Sequence, residues 1–440
     1  MIGPNAWDIA IVGGGAAGLA AGIFAGEAHP AARIALFDGA QKVGAKILVA
    51  GGGRCNVTHW RTAPEDYNAA SRGFVKNVLA SFDADDTVAW MAGLGVQLKR
   101  EETGKLFPTT DKARTVLEAL LTRLDAVGAT LLTGHRVTAV AREGDAFTLE
   151  TSQGRHTARR LILSTGGRSL ARTGSDGGGY ALARSLGHTV GDTHPALVPM
   201  VLQQHFLHAQ LSGVSHEAQI TTYAGGKPID RRTGSLLWTH FGLSGPLAMD
   251  ASRHWLVARA GGAQVEWRLS LLPEQRFETL EPELLRFAAD HPTATIRRAL
   301  DHLATLARHP DAPPPGTLAQ PIPATLLDTL LSWTKIDPAT PLAQLRRDDR
   351  RRLIHALLDL PLPVEQERGW NYAEVTAGGV PLSEVAWRTM ESRITPGLHL
   401  AGEILDVDGR IGGFNFQWAW ATGRLAGRAA AQGLVPSTSA

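Results

Sequence analysis

The sequence predicts an α/β fold in which both ends of the chain contribute to one domain and the middle forms an insertion. Residues 8–27 hold an apolar run, a glycine cluster and a small-residue helix pattern. Residues 397–427 hold another short apolar run, a glycine pair and an aromatic helix pattern. Between these segments, alternating apolar and polar residues give way to leucine repeats, which indicates strands followed by helices.

The composition is that of an ordinary globular protein. The chain has 440 residues, 44% of them hydrophobic, and a net charge of +2, so two or three domains are expected. It has no long Lys/Arg block, so no nucleic-acid partner is expected. The single cysteine, Cys55, excludes an intramolecular disulfide, a redox-active dithiol and a cysteine-rich zinc site, and we expect no metal. No signal-peptide or membrane-spanning pattern is present, so we expect a cytoplasmic protein without a membrane partner.

The first glycine cluster follows the pattern Gly-x-Gly-x-x-Gly at Gly13, Gly15 and Gly18. The first glycine allows a tight strand-to-helix turn, the second lets a pyrophosphate approach the backbone, and the third lets the helix pack on the strand. Ala16 and Ala17 then begin a helix whose unpaired N–H groups and positive dipole end favour phosphate. This pattern predicts a dinucleotide site.

The second predicted strand, ARIALFD (32–38), ends at an acid, Asp38, about 20 residues beyond the glycines. A carboxylate at this point can accept hydrogen bonds from a ribose diol. The acid argues against a 2′-phosphate. It does not distinguish FAD from NAD, because both contain an ADP half.

A second glycine-rich segment, residues 39–59, follows Asp38 directly and is predicted to form a loop. Its glycines permit unusual backbone angles, and its N–H groups and basic side chains can lie along an extended dinucleotide. Cys55 alone is more typical of a packed side chain than of a nucleophile. The cofactor-binding residues predicted in this segment are Lys46, Gly52, Gly53, Arg54, Cys55 and Asn56.

Four long segments resemble a family of bacterial flavoproteins called NAD(P)/FAD-dependent oxidoreductases. They are ILVAGGGRCNVTH, STGGRSLARTGSDGGGYALARSLGH (164–188), LWTHFGLSGPLAM (237–249) and residues 375–427. The family includes an aminoacetone oxidase and proteins named for bile-acid ring reduction. The resemblance covers essentially the whole chain in the same order. It implies FAD as the cofactor and a Rossmann FAD domain of the glutathione-reductase type, with a β-rich and then α-helical insertion.

The resemblance implies further cofactor-binding residues. Val137 belongs to the strand that commonly meets the adenine, and the segment after Leu163 passes over the dinucleotide. In this fold class an acid after the last strand, here Asp406 or Asp408, hydrogen-bonds the ribityl chain or approaches the pyrophosphate. The helix that follows would direct its N–H groups towards the flavin pyrimidine ring. The remaining residues implied in this way are Thr165, Gly166, Gly167, Gly402, Glu403, Gly412, Gly413, Phe414 and Asn415.

The domain boundaries follow from these patterns. The FAD-binding domain is predicted at 1–195 and 366–432, with a β-rich insertion at 196–272. A helical insertion is predicted at 273–365, with a Pro-rich break at 311–316 between its helices. Residues 433–440 are expected to form a frayed tail.

The predicted chemistry is hydride transfer at flavin N5 to or from a small organic substrate. His240 is the catalytic candidate, with a hydrogen-bonded structural histidine as the alternative, and His59 is a weaker candidate. No Cys-x-x-x-x-Cys pair follows the first glycine pattern, which excludes a dithiol–disulfide reductase. No second strand-embedded Gly-x-Gly-x-x-Gly is found, so a separate nicotinamide domain is not expected, and NAD(P)H stays open as a transient electron donor.

Three functional hypotheses follow. The first is an FAD-dependent oxidoreductase that acts on a small organic substrate by hydride transfer at flavin N5. An amine or aminoketone oxidase with O2 as the acceptor is one form of it. The second is an NAD(P)H-dependent flavin reductase of an enone-like substrate. The third, from another class, is a non-catalytic flavin-binding or RNA-associated protein. The sequence leaves the substrate and the oligomeric state open.

Overall fold

The computed structural model describes residues 5–273, 275–306 and 322–434. The chain divides into two units: unit 1 consists of Met1–Pro195 and Glu374–Ala440, and unit 2 of Ala196–Ala373. The predicted Pro-rich break at 311–316 lies outside the described residues, and so does the predicted tail from residue 435 onwards.

The helices and strands are numbered in chain order. The helices are α1 (Ala16–Ala28), α2 (Ala45–Gly53), α3 (Arg72–Ser81), α4 (Ala84–Gly93), α5 (Ala113–Ala126), α6 (Gly178–Ser185), α7 (Gly245–Ala260), α8 (Phe277–Asp290), α9 (Ile296–Leu306), α10 (Ala324–Thr334), α11 (Arg347–Leu358) and α12 (Phe414–Gln432). The strands are β1 (Ala6–Val12), β2 (Ile34–Asp38), β3 (Thr58–His59), β4 (Tyr67–Ala69), β5 (Leu98–Arg100), β6 (Lys105–Pro108), β7 (Thr130–Thr133), β8 (Val137–Glu143), β9 (Ala146–Thr151), β10 (Gly154–Leu163), β11 (His194–Ala196), β12 (Met200–Leu202), β13 (Ser215–Ala224), β14 (Lys227–Thr239), β15 (Gly242–Ser244), β16 (Val265–Ser270), β17 (Leu360–Leu362), β18 (Val364–Glu367), β19 (Val375–Ala377), β20 (Val385–Ala386), β21 (Glu391–Ser392), β22 (Leu398–Leu400) and β23 (Val407–Gly409).

The main sheet of unit 1 is built around β1. Its strand order is β20-β21-β22-β10-β1-β2-β7. β1 pairs in parallel with β10 and β2, which places Ile11 opposite Ile162 and Leu36. β22 pairs in parallel with β10, which places Leu400 opposite Leu163. A strand from the carboxyl-terminal segment therefore lies in the same sheet as the first strand, as the fold-class prediction requires.

The central strands are apolar because both of their faces are covered. Ile9, Ala10 and Ile11 of β1 are fully buried, which is typical of a parallel sheet with helices on both faces. Their continuous apolar run therefore reflects a position at the centre of the domain.

Helices α1 and α12 pack closely because glycines line their contact. A Cβ atom on Gly423 would overlap the carbonyl oxygen of Ala17, and one on Gly427 would overlap the carbonyl oxygen of Ala21. The small residues predicted along the aromatic helix therefore bring the last helix against the first one.

Unit 2 contains its own sheet and its own core. The sheet order is β17-β16-β13-β14-β15-β12-β18, and Trp238 and Trp267 are fully buried. The leucine repeats predicted as core faces join this core, for example Leu280 of α8 and Leu330 of α10. The sequence missed one feature of the helical stretch: β17 and β18 end it and return to the sheet. Prolines at 361 and 363 cannot continue α11, which explains the change to strand.

None of the described helices is both long and apolar enough to cross a membrane.

Candidate functional site

The turn between β1 and α1 leaves an open backbone surface. Gly13 has φ +107°, and a Cβ atom there would lie 2.5 Å from the carbonyl oxygen of Ser164. At Gly15, which caps α1, no atom lies within 4 Å of the position of a Cβ. No side chain caps this helix and its first turn has no acidic residue. The unpaired N–H groups therefore face an open space that fits a phosphate.

The predicted ribose-binding acid is held by the backbone at the end of β2. Asp38 accepts hydrogen bonds from Gly14 N to Oδ2 at 2.7 Å and from Ala40 N to Oδ1 at 2.8 Å. Each carboxylate oxygen has a second lone pair. The side chain can therefore hold the turn and still accept a hydrogen bond from a ligand hydroxyl.

The second glycine segment begins as a helix and ends in a left-handed turn. α2 includes Ala50 at ψ 143°, followed by Gly51 and Gly52 at φ 58° and 69°. The sequence predicted a loop over the whole segment, but the helix starts at Ala45. A Cβ on Gly52 would contact nothing within 4 Å. The glycines therefore break the helix and expose backbone at its end, because only glycine adopts these angles without strain.

The residues after the glycines have different environments. Cys55 is fully buried, and burial raises the pKa of its thiol to about 12, so it stays a neutral thiol rather than a reactive thiolate. Asn56 is buried, and its Oδ1 has no hydrogen-bond partner among the described residues. Arg54 pairs with Glu101 and stacks over Phe107 at 4.0 Å. The protein thus already supplies partners for this guanidinium.

A polar network joins residues that are distant in the sequence. Lys46 Nζ donates to Glu403 Oε2 at 2.8 Å and to Ser169 Oγ at 2.9 Å. Glu403 Oε1 also accepts from Ser169 Oγ and from Thr376 N, each at 2.9 Å. Lys46 and Glu403 were predicted from the sequence, whereas Ser169 and Thr376 were missed. Both lie inside segments that carry the family resemblance, which was the available signal.

Three buried hydroxyl groups lie close to the predicted segment after β10. Thr165 Oγ1, Ser175 Oγ and Tyr180 OH have no hydrogen-bond partner among the described residues. Two of them lie against glycines: a Cβ on Gly179 would overlap Thr165 Oγ1, and one on Gly166 would lie 2.5 Å from Ser175 Oγ. Buried polar atoms are normally paired. These hydroxyls therefore fit the polar atoms of a bound ligand.

Tyr180 is placed to donate a hydrogen bond. Burial raises the pKa of its phenol well above the usual value, and the negative charges of Glu403 and Asp406 raise it further. The phenol therefore keeps its proton. Next to this group, Gly167 leaves no room for a side chain, because a Cβ would overlap Thr376 Oγ1.

The two predicted acids near the carboxyl end are not equivalent. Asp408 lies on β23, opposite Asn68 of β4, and is only 2% exposed. Asn68 Nδ2 donates to Asp408 Oδ2 at 2.8 Å. Asp406 is partly buried and lies close enough to Tyr180 to raise its pKa. Asp406 therefore belongs to the group around Thr165 and Tyr180, whereas Asp408 is held by Asn68.

The start of α12 is built from glycines. Gly412 and Gly413 have φ 133° and 97°, and no side chain caps the helix. Asn415 folds back on the preceding turn, since its Oδ1 accepts from Gly409 N at 2.8 Å and its Nδ2 donates to Gly409 O at 2.9 Å. Phe414 is buried under the ring of His59, with ring centroids 4.8 Å apart. The helix therefore presents free N–H groups at a fixed position.

The remaining predicted residues are placed as follows. Val137 is buried at the start of β8. Gly402 has φ 77°, and a Cβ there would lie 2.8 Å from the Cβ of Ala17. His240 is exposed in unit 2. In unit 2 its ring meets Phe241 edge-on at 5.1 Å.

The open backbone at Gly15 and Gly52 and the unpaired hydroxyls fit FAD, and comparisons with known proteins agree. Residues 7–429 match the family described as HI0933-like protein Rossmann domain. The chain is 35% identical over 424 residues to the 3-dehydro-bile acid delta(4,6)-reductase of Clostridium scindens, covering 96% of this chain and 99% of the relative. It is 33% identical over 435 residues to the ribosomal RNA dihydrouridine synthase of Escherichia coli, covering 98% and 99%.

A solved structure shares the fold. It is a variant of FrdA from Escherichia coli quinol fumarate reductase, with a TM-score of 0.51 and 18% identity, covering 99% of this chain and 71% of that chain. The family match and the reductase at 35% identity identify an FAD-dependent oxidoreductase. The chain belongs to the HI0933-like family of FAD-binding Rossmann proteins.

Proposed function

We propose that this chain reduces a C=C bond conjugated to a carbonyl group, with NAD(P)H as the electron donor. The observation that carries this proposal is the full-length similarity to two relatives with different substrates. A 3-dehydro-delta(4,6) bile acid contains C=C bonds conjugated to its 3-oxo group. Dihydrouridine is uridine in which the C5–C6 double bond, conjugated to the C4 carbonyl, has been reduced. The two names therefore describe one type of reaction.

The residues of unit 1 support this reaction by the way they would hold the cofactor. Bound FAD supplies hydride transfer at N5. The N–H groups of α1 would bind the pyrophosphate, and Asp38 would accept a ribose hydroxyl. The uncapped N-terminus of α12 would hold the polar edge of the flavin ring. Cys55 supplies no reactive thiolate to this scheme, because burial raises the pKa of its thiol to about 12.

Oxidation of an amine or aminoketone by O2, one form of the first hypothesis from the sequence, is not favoured. Neither of the two relatives is named as an oxidase. We therefore place the reductive direction first.

Two substrate classes are consistent with this chemistry. A small enone is the first, because the relative at 35% identity is named for one. Uridine in RNA is the second, because the relative at 33% identity is named for it and is matched over 99% of its length. Acidic and basic side chains are equally numerous in unit 2, and the whole chain has a net charge of only +2, so overall charge does not separate the two.

The first experiment is an absorption spectrum of the FAD-loaded protein without oxygen. We expect NADH or NADPH to bleach the flavin bands. Adding a 3-oxo-4-ene steroid, or a single-stranded RNA that contains uridine, should then restore them and yield a product with two more hydrogens. The matched controls are the saturated 3-oxo steroid and the same RNA with cytidine in place of uridine. If neither nicotinamide bleaches the flavin but an amine does, the proposal is wrong and the protein is an oxidase.

A further inference from the structure

An exposed tryptophan lies beside the N-terminus of α12. Trp60 is 44% exposed and directly follows His59, whose ring stacks on Phe414 at 4.8 Å with an interplanar angle of 22°. Phe414 is the first residue of α12, which is predicted to face the flavin ring. The tryptophan is therefore near the predicted position of the reacting part of the cofactor.

The backbone around Trp60 is fixed. Trp60 N donates to Gly104 O at 2.9 Å, and β3 pairs with β6, which places His59 opposite Lys105. A Cβ on Gly104 would lie 2.5 Å from both His59 Nε2 and Trp60 Cδ1. The turn at Gly104 is therefore packed against both rings. An aromatic side chain held in this way loses little conformational entropy when a partner stacks on it.

Three basic residues without acidic partners among the described residues lie on or next to this turn: Arg100 stacks on the ring, Arg61 follows Trp60, and Lys105 follows Gly104. The guanidinium carbon of Arg100 lies 3.8 Å from the Trp60 ring centroid. Within the described part of the chain, no carboxylate lies within ion-pair distance of Arg61, Arg100 or Lys105. The nearby Arg54, in contrast, pairs with Glu101. These three cations are therefore available to an anionic partner.

We propose that this surface, formed by Trp60, Arg61, Arg100 and Lys105, binds single-stranded RNA. A base would stack on the exposed part of Trp60, while the cations would neutralise neighbouring phosphates. A stacking ring among basic side chains is the usual chemistry of single-strand binding. A bile acid would use the ring, but its single carboxylate would pair with only one of the three cations. The inference rests on the proposed reduction of a carbonyl-conjugated C=C bond, and it selects uridine in RNA as the substrate class.

The net charge of only +2 determines how strongly RNA binding should depend on salt. The whole molecule produces no strong attracting field. The affinity must then come from the local stack and from a few phosphate contacts, so it should fall with salt by a small slope. About three phosphate contacts on single-stranded RNA give a slope of roughly −2 in log K against log salt.

The test uses the full-length, FAD-loaded protein and a uridine-rich single-stranded RNA labelled with a fluorophore. Anisotropy gives Kd at two salt concentrations for the wild type, Trp60→Ala and Arg100→Ala. Losing one base–aromatic stack should weaken binding by about 10-fold or more. Arg100→Ala should weaken binding and also reduce the salt slope by nearly one unit.

Unit 2 offers matched controls. Trp333 is 45% exposed, which matches Trp60, and Arg259 stacks over Trp255 at 4.6 Å, as Arg100 does over Trp60. Trp333→Ala and Arg259→Ala should keep Kd within about twofold of the wild-type value. Equal losses in all four variants would overturn the proposal.

The experiments can contradict the proposed RNA-binding surface and the proposed reaction independently of each other. If the wild type binds the RNA no better than Trp60→Ala while NAD(P)H still bleaches the flavin and a steroid enone is reduced, the surface proposal is wrong and the proposed reaction stands. If RNA binding depends on Trp60 but neither nicotinamide bleaches the flavin, the surface stands and the proposed reaction is wrong.

Discussion

His254 makes unit 2 sensitive to acid. Burial lowers the pKa of this residue to about 4; Asp230 opposes the shift, and the charges of Arg232 and Arg253 add to it. The Arg232 Nη2 to His254 Nε2 distance is 2.8 Å. The unfolded chain, with an ordinary histidine pKa of about 6.5, takes up the proton at a higher pH than the folded chain does. The free energy of unfolding is therefore at its full value above about pH 6.5, and it decreases as the pH falls towards 4 because the unfolded chain binds the proton more readily.

We expect the free energy of unfolding to fall by up to about 3 kcal/mol between pH 7 and pH 4 from this residue alone. Urea unfolding at several pH values measures the change. His254→Gln should remove this part of the pH dependence. His205→Gln, at an exposed position of the same unit, is the control and should leave the pH dependence as it is. Identical profiles for the wild type and His254→Gln would contradict the prediction.

The positions of residues were easiest to predict where the backbone admits only one residue type. Gly13 was placed correctly at the strand-to-helix turn, where its φ of +107° and the nearby carbonyl oxygen of Ser164 admit only glycine. Ser169 and Thr376 were missed, because short polar side chains occur throughout loops. Their meeting at Glu403 depends on contacts between segments more than 200 positions apart. Local sequence patterns do not predict contacts between such distant segments.

At the level of elements, the contact between α1 and α12 should tolerate no added atom. Gly423→Ala would force a Cβ into the carbonyl oxygen of Ala17, which is backbone and cannot move aside. We expect a loss of about 1–3 kcal/mol in stability and a lower FAD content after purification, measured by thermal unfolding and by the flavin absorbance per protein.

Gly73→Ala is the matched control for this prediction. Gly73 lies in α3, and a Cβ there would meet no atom within 4 Å. Replacing glycine by alanine in a helix normally stabilises it by about 0.5–1 kcal/mol. The two alanine substitutions should therefore act in opposite directions. A neutral Gly423→Ala would show that the helices are not in close contact.

The elements also differ in how well the sequence predicted them. β1, α1 and β2 were predicted because a continuous apolar run and a glycine pattern define them locally. The helical part of α2 was not, because its glycines suggested a loop although Ala45, Lys46 and Leu48 are good helix formers. The short strand β17 was also missed, because its Leu-Pro-Leu sequence gains its strand conformation from pairing with β16. Strand preference depends strongly on such partners.

For the whole molecule, the two units differ in continuity: unit 1 is built from two segments of the chain and unit 2 from one. Unit 2 is one continuous segment with its own hydrophobic core, so a fragment of residues 196–373 should fold and show one cooperative unfolding transition. Residues 1–195 lack β22 and α12, which cover β10 and α1. We expect this second fragment to show no cooperative transition by circular dichroism and no FAD binding. A folded, yellow fragment 1–195 would contradict this.

The packing of the last helix on the first also determines when the cofactor site can form during synthesis. The ribosome makes α1 long before α12, and domains generally fold as their residues emerge. Unit 2 is complete before β22 and α12 have been made. Until then the nascent chain must carry an uncovered α1 face made of Ala17 and Ala21, together with an unpaired edge of β10. Such surfaces are prone to aggregate. Translation speed and chaperone supply while β22 and α12 are being made should therefore control the yield of holoprotein more strongly than they control the yield of folded unit 2.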